Sequence, residues 1–358
     1  MERDRLINTF CDLVKIPSES PDDKEFIAYL ETLFKKEGAK TVLDNFGNLV
    51  ARFDAKGSSS TEPVMFCCHG DTVKPGIGIE PVIEEKMIRS KGDTILGGDD
   101  KAGIAEIIEM LRSAKKHPPL EIVITRCEEI APAGAEFLDY SLIRSKMGYV
   151  LDMDTPSDVI IGGPTCVFFK VKFKGKPAHS GVSPEKGISA IQAACEAISN
   201  LRLGKIDDET TANVGVIKGG LSMNIIPEDA EVEAECRSLN DKKARVVLEE
   251  MKNTFKKAAE KFGAQVLIEE NVALEAYSIP KDAKVVQLAV SAMQKNGIKP
   301  DVKSIAGGTD ATHINHNGIQ TAVLGIGGRM MHSTEEYVVI DELIAITKII
   351  TTIVEDLA

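Results

Sequence analysis

The sequence predicts an α/β protein: a mostly parallel sheet covered by helices, with a smaller α+β unit inserted into it. Three observations predict this. Runs that are apolar on both faces, at 64–68, Leu120–Thr125, 149–151 and 321–326, alternate with helical patterns. Strands with no wet face belong to parallel sheets buried beneath helices. The middle of the chain shows a different period, described next, and 358 residues exceed what one compact core organises.

Taken in order, Gly57-Ser58-Ser59-Ser60-Thr61 reads as a loop leading into the first strong strand at 64–68. Ile104, Ile107, Ile108 and Leu111 fall at i, i+3, i+4 and i+7, so a helix follows Asp100. Over 167–174 the odd positions Val167, Phe169, Val171 and Phe173 are apolar and the later even ones are Lys. Over 230–237 the even positions Ala230, Val232, Ala234 and Cys236 are small or apolar and the odd ones charged. A period of two marks strands with one wet face. Helical stretches at about 186–201 and 241–262 and strands near 212–218 and 264–271 complete a β-α-β-β-α-β order. These readings place an inserted domain at 166–275 within a split α/β domain formed by 1–165 and 276–358.

Charge and composition exclude several function classes. The net charge of −12 disfavours general binding to nucleic acid or anionic membranes and suits a protein that gathers cations. No stretch approaches the ~20 apolar residues of a membrane span, and the charged start of the chain lacks a signal-peptide pattern. Seven scattered cysteines, odd in number and without a Cys-x-x-Cys pair, argue against a disulfide framework or a thiolate zinc site. The expected compartment is the cytoplasm.

The potential ligands fall at the ends of the predicted strands. The strand at 64–68 leads into His69-Gly70-Asp71, and Asp99-Asp100 precede the helix. Leu120–Thr125 leads into Cys127-Glu128-Glu129, the strand at 149–151 into Asp152, and that at 321–326 into a glycine-rich loop reaching His332. Singly, each has an ordinary structural explanation: a solvated Glu pair, a helix N-cap at Asp99 or Asp100, a loop histidine. Together they meet at the carboxyl edge of an α/β sheet, where ligands bind. A carboxylate cluster of this kind repels itself without cations. Imidazoles and carboxylates without thiolates fit Zn²⁺, Mn²⁺ or Co²⁺. A two-metal hydrolytic site needs a bridging carboxylate and a further carboxylate that moves the proton of the attacking water, and Glu128 and Glu129 are placed to divide such duties. Asp71 is placed to orient the His69 imidazole.

These same residues carry a family resemblance. His69-Gly70-Asp71-Thr72-Val73, Gly98-Asp99-Asp100-Lys101-Ala102-Gly103, Glu128-Glu129, Asp152 and His332 resemble the di-zinc exopeptidases. That family includes peptidase T, glutamate carboxypeptidases, aminoacylases and succinyl-diaminopimelate desuccinylase. Leu96-Gly97-Gly98-Asp99-Asp100 and Gly307-Gly308-Thr309-Asp310 are most similar to the peptidase T branch. The resemblance implies two divalent ions, zinc foremost. Asp99 would bridge them, His69 and Asp152 would complete one site, and Glu129 and His332 the other. Glu128 would be the general base, Asp71 would support His69, and the Asp99–Asp100 peptide would be cis. The inserted domain resembles a lid and dimerisation module and implies a homodimer. Its His179 would stabilise the oxyanion in a neighbouring subunit, while Asn224, Arg237 and Asp310 would bind substrate. A cross-strand salt bridge to its Glu neighbours is the ordinary alternative for Arg237.

The activity this implies is aminopeptidase cleavage of short peptides, of the tripeptidase type. The alternatives are an N-acyl-amino-acid deacylase or carboxypeptidase with the same chemistry, or a catalytically silent metal-binding dimerisation protein. Ile130-Ala131-Pro132-Ala133-Gly134 departs from the family pattern, in which a glycine follows the two glutamates sooner.

Overall fold

The computed structural model describes every residue except Met1 and Ala131. The chain divides into two compact units. The first comprises Met1–Gly162, Ser278–Ser304 and Thr309–Ala358; the second comprises Gly163–Tyr277 and Ile305–Gly308. Placed beside the expected 166–275, the second unit begins and ends within a few residues and adds the short Ile305–Gly308 segment.

In the first unit an eight-stranded sheet runs in the order Lys40–Leu43, Leu49–Phe53, Leu120–Thr125, Val64–His69, Met147–Met153, Gln320–Gly325, Asp158–Ile160, Asp301–Lys303. The four strands from Leu120–Thr125 to Gln320–Gly325 are parallel. Leu49–Phe53 and Asp158–Ile160 flank them antiparallel. Every residue of Val64–His69 and Leu120–Thr125 is buried, as strands covered on both faces require. The helix Gly98–Ser113 packs against Val64–His69 and Met147–Met153 and is itself covered by Arg3–Val14 and Ile340–Asp356. It is buried from Gly98 to Leu111, and Glu109 is neutralised there by a two-pronged bond from Arg5 at 2.8 Å on each arm. No helix among the described residues is long and apolar enough to cross a membrane.

The second unit is an antiparallel five-stranded sheet in the order Gly204–Asp207, Thr210–Gly219, Asp229–Ser238, Thr165–Lys174, Gln265–Leu274, with the helices Ala190–Ser199 and Asp241–Phe262 on one face. The period of two places Val167, Phe169, Val171 and Phe173 in that core. The opposite face pairs Lys170 with Glu231 at 2.7 Å and Lys172 with Glu269 at 2.9 Å. Gly204–Asp207 is a strand beyond the expected β-α-β-β-α-β order. With Ile206 its sole apolar residue it has no periodicity to read, and its pairing with Thr210–Gly219 supplies what its composition does not.

Phe255 lies at the centre of this core, fully buried, edge-on to Phe169 with ring centroids 6.2 Å apart and tilted against Phe173 at 6.1 Å. Phe255→Ala should therefore cost about 3–5 kcal/mol, read as a lower urea midpoint at unchanged slope.

Candidate metal centre

The first unit brings six sequence-predicted residues to the carboxyl edge of the parallel strands, and the local chain explains each position. His69 is the last residue of Val64–His69, and Asp152 lies at the end of Met147–Met153. Glu128 and Glu129 open a short 3-10 turn reached through Cys127, whose φ of 58° bends the chain out of the preceding strand. Asp99 precedes the regular turns of its helix, with φ −81° and ψ 102°, and the Asp99–Asp100 peptide is cis. His332 sits at the tip of a loop with φ 62°.

The Asp99 carboxylate joins two groups of ligands. One oxygen lies 2.9 Å from His69 Nε2, which is also 3.9 Å from an Asp152 oxygen. The other lies 3.3 Å from His332 Nε2, which is 3.0 Å from Glu129. Two sets, His69–Asp99–Asp152 and Asp99–Glu129–His332, each have donor atoms within 4.8 Å of one another, and Asp99 is common to both. Glu129 Oε1 is buried without a hydrogen-bond partner. No Lys or Arg among the described residues forms an ion pair with these carboxylates. A donor set of carboxylates and imidazoles, one oxygen of it orphaned, fits divalent cations.

The electrostatics carry the same signature. Burial opposes ionisation of Asp99, yet hydrogen bonds from His332 and His69 hold its carboxyl below the usual range. Bonds to Asp99 and Glu129 raise His332 to about 10. Burial would lower His69, but the Asp99 carboxylate overrides it and holds the imidazole well above its usual value. Burial pushes the Glu128 and Asp152 carboxyls well up, and neighbouring carboxylates add to the rise. In the metal-free chain the two imidazoles thus act as the counter-ions of the cluster.

Asp71 supports the site in two ways. Its backbone carbonyl lies 2.9 Å from His69 Nδ1, whereas its carboxylate is 3.7 Å from that nitrogen. The carboxylate instead accepts the Glu128 amide at 2.9 Å, the Glu129 amide at 3.2 Å and the Ser20 hydroxyl. The helix N-cap considered for Asp100 is replaced by a bond from the His69 amide at 3.1 Å, because the carboxylate turns toward the strand end. Arg126 braces the glutamate turn from beneath through Asp23 at 2.7 Å and the Phe46 carbonyl at 2.9 Å. Gly134 has a reason of its own in the segment that follows: a Cβ there would stand 2.3 Å from the Arg126 carbonyl oxygen. Ala131 of this segment lies outside the described residues.

The expected substrate contacts lie as follows. Asp310 is 1 % exposed, takes a hydrogen bond from the Thr125 hydroxyl, and is raised by burial to about 6. Its other carboxylate oxygen is buried without a hydrogen-bond partner. His179, Asn224 and Arg237 belong to the second unit. His179 and Asn224 are exposed, and the Ser180 amide bonds the Asn224 carbonyl at 3.0 Å. Arg237 is held by Glu235, two residues before it on the same strand, at 2.9 Å and lies over the Phe168 ring, so the ion pair it makes runs along its own strand and not across strands. Sequence reasoning missed Glu336, which is 2 % exposed and accepts three amides of the loop before Asp99. Its place next to Glu335 gave it the look of a solvated pair.

The chain is similar to known proteins. Residues 166–263 match the peptidase dimerisation domain of the M20 type, and residues 246–349 match the M42 glutamyl aminopeptidase family. The chain is 36 % identical to the uncharacterized protein YqjE of Bacillus subtilis, over 99 % of this chain and 98 % of that one. Two solved structures share its fold at full length. Aminopeptidase PepT from Bacillus cereus is 35 % identical with a TM-score of 0.92, covering 99 % of both chains. A tripeptidase from Staphylococcus aureus is 30 % identical with a TM-score of 0.96, covering 99 % of this chain and 98 % of that one. The chain belongs to the M20 peptidase family, in the group that contains PepT.

Proposed function

We propose that the protein is a two-metal aminopeptidase that removes the amino-terminal residue from tripeptides or similarly short peptides. The observation that carries this reading is the single Asp99 carboxylate facing both ligand sets with one oxygen each. His69 and Asp152 would complete one ion's coordination, and Glu129 and His332 the other's. Zinc suits these ligands, with manganese or cobalt as substitutes. When bound, such a pair acidifies water and polarises the scissile carbonyl.

The chain's own groups supply the remaining steps. Glu128, raised by burial and held by its amide on Asp71, takes the proton from the attacking water and returns it to the leaving amine. The Asp71 carbonyl fixes the His69 ring so that Nε2 faces Asp99. Arg237 and Asn224 would grip polar ends of the peptide, and the partner's His179 would donate to the oxyanion in a homodimer formed through the second unit. Substrate and assembly rest on likeness to the Bacillus cereus aminopeptidase and the Staphylococcus aureus tripeptidase. The cytoplasm is the compartment such a peptide scavenger would occupy.

Three measurements test this. Di- and tripeptides with free or blocked termini, offered to Zn²⁺-, Mn²⁺- or Co²⁺-loaded protein, should be cut only where the amino terminus is free. Release of acyl groups or of carboxyl-terminal residues would overturn the aminopeptidase reading, and no cleavage of any substrate would select the silent one. Glu128→Ala should retain its metal content while kcat falls about 10²–10⁴-fold. Metal uptake at pH 7 should release protons, because the neighbouring carboxylates raise both imidazoles above their usual value and an imidazole must be unprotonated to coordinate. Apparent affinity should therefore rise with pH, and calorimetry in buffers of different ionisation enthalpy should report the release.

A further inference from the structure

We infer that Glu336 is a positioning residue that fastens the His332 loop to the Asp99 loop and so governs how tightly the Asp99–Glu129–His332 site holds its ion. The inference rests on the metal-centre reading above. Its grounds are the contacts of one buried carboxylate. Glu336 Oε2 accepts the amides of Leu96 and Gly97, each at 2.8 Å, and Oε1 accepts the Asp99 amide at 3.0 Å. Among the described residues no Lys, Arg or His lies within ion-pair distance of it. A buried carboxylate without a cation is costly unless hydrogen bonds replace its hydration, and three convergent amides do so.

The surrounding chain is shaped around this contact. Gly97 takes φ 70°, and a Cβ on Gly98 would stand 2.7 Å from Val338 and 3.0 Å from Glu336 Oε1. The strands Gly328–Arg329 and Tyr337–Val339 pair antiparallel, so the loop between them is a hairpin with His332 in its turn and Glu336 at its base. Inside the hairpin the Glu336 amide bonds the Ser333 carbonyl at 3.1 Å, and the Ser333 hydroxyl bonds the Met330 carbonyl at 2.7 Å. His332 is 58 % exposed, and its ion-pair partners among the described residues are Asp99 and Glu129. Its own packing therefore does little to fix it. What sets its distance from Asp99 is the hairpin, and what holds the hairpin to the Asp99 loop at that point is Glu336.

A glutamine keeps the shape of Glu336 but has one acceptor oxygen, so it must turn its NH₂ toward either the Asp99 amide or the Leu96 and Gly97 amides. The test is titration of metal-free protein with Co²⁺, followed by visible absorption and calorimetry, for wild type, Glu336→Gln and the exposed neighbour control Glu335→Gln. Wild type and Glu335→Gln should take up two ions alike. In Glu336→Gln one of the two ions should bind about 10–100-fold more weakly, with an altered Co²⁺ spectrum. Its kcat at limiting metal should fall and recover with excess metal, while KM stays the same. An unchanged affinity for both ions in Glu336→Gln, even with a lower Tm, would sink the inference and leave the metal reading standing. A wild-type chain that takes up no second ion would overturn both. Glu336→Ala adds a stronger version, and should it fail to fold, Glu336→Gln decides alone.

Discussion

The repulsion among buried carboxylates at one sheet edge is the constraint on which the first unit depends. Asp99, Asp152, Glu128 and Glu129 crowd together with only two imidazoles between them and no Lys or Arg paired to them among the described residues. A solvated surface would disperse these charges, but here they are fixed by elements that cannot relax outward. His69 and Asp152 lie on strands of a sheet whose central members are buried on both faces. Asp99 is anchored at the head of a helix buried over most of its length. The rigidity of the α/β layers holds an unfavourable charge cluster in place, as a cation site requires.

Much of this was legible from the residues. Continuous apolar runs revealed the buried strands because a strand covered on both faces leaves no position for a polar side chain. The candidate ligands could be read together rather than singly, because His69 and Asp152 follow such runs directly and Glu128, Glu129 and His332 lie in the chain just beyond others. The alternating Lys and Glu of Thr165–Lys174 and Asp229–Ser238 likewise declared their wet face, where the structure pairs them across strands.

What was not legible depends on contacts that have no period. Glu336 beside Glu335 has the composition of a solvated loop, and only the folded turn at Leu96–Asp99 gives it three donors. Asp310 follows a glycine-rich segment whose pattern does not foretell burial, yet it is buried and bonded to the Thr125 hydroxyl. The role of Asp71 was half visible. Its position two residues after His69 announced a link to that ring, but the link runs through the main chain, leaving the carboxylate free for the glutamate turn.

That last arrangement limits how such a protein can diversify. In the proposed mechanism the group that moves the proton and the group that binds an ion are neighbours on one turn, and both amides hang from the same carboxylate. Their spacing is a property of the backbone and cannot drift one residue at a time. The chain that follows is not held by that carboxylate, and there Ile130 and Phe137 stand open to solvent. A change of side chain at those two positions would leave the glutamate turn in place, whereas one at Gly134 would press on the Arg126 carbonyl.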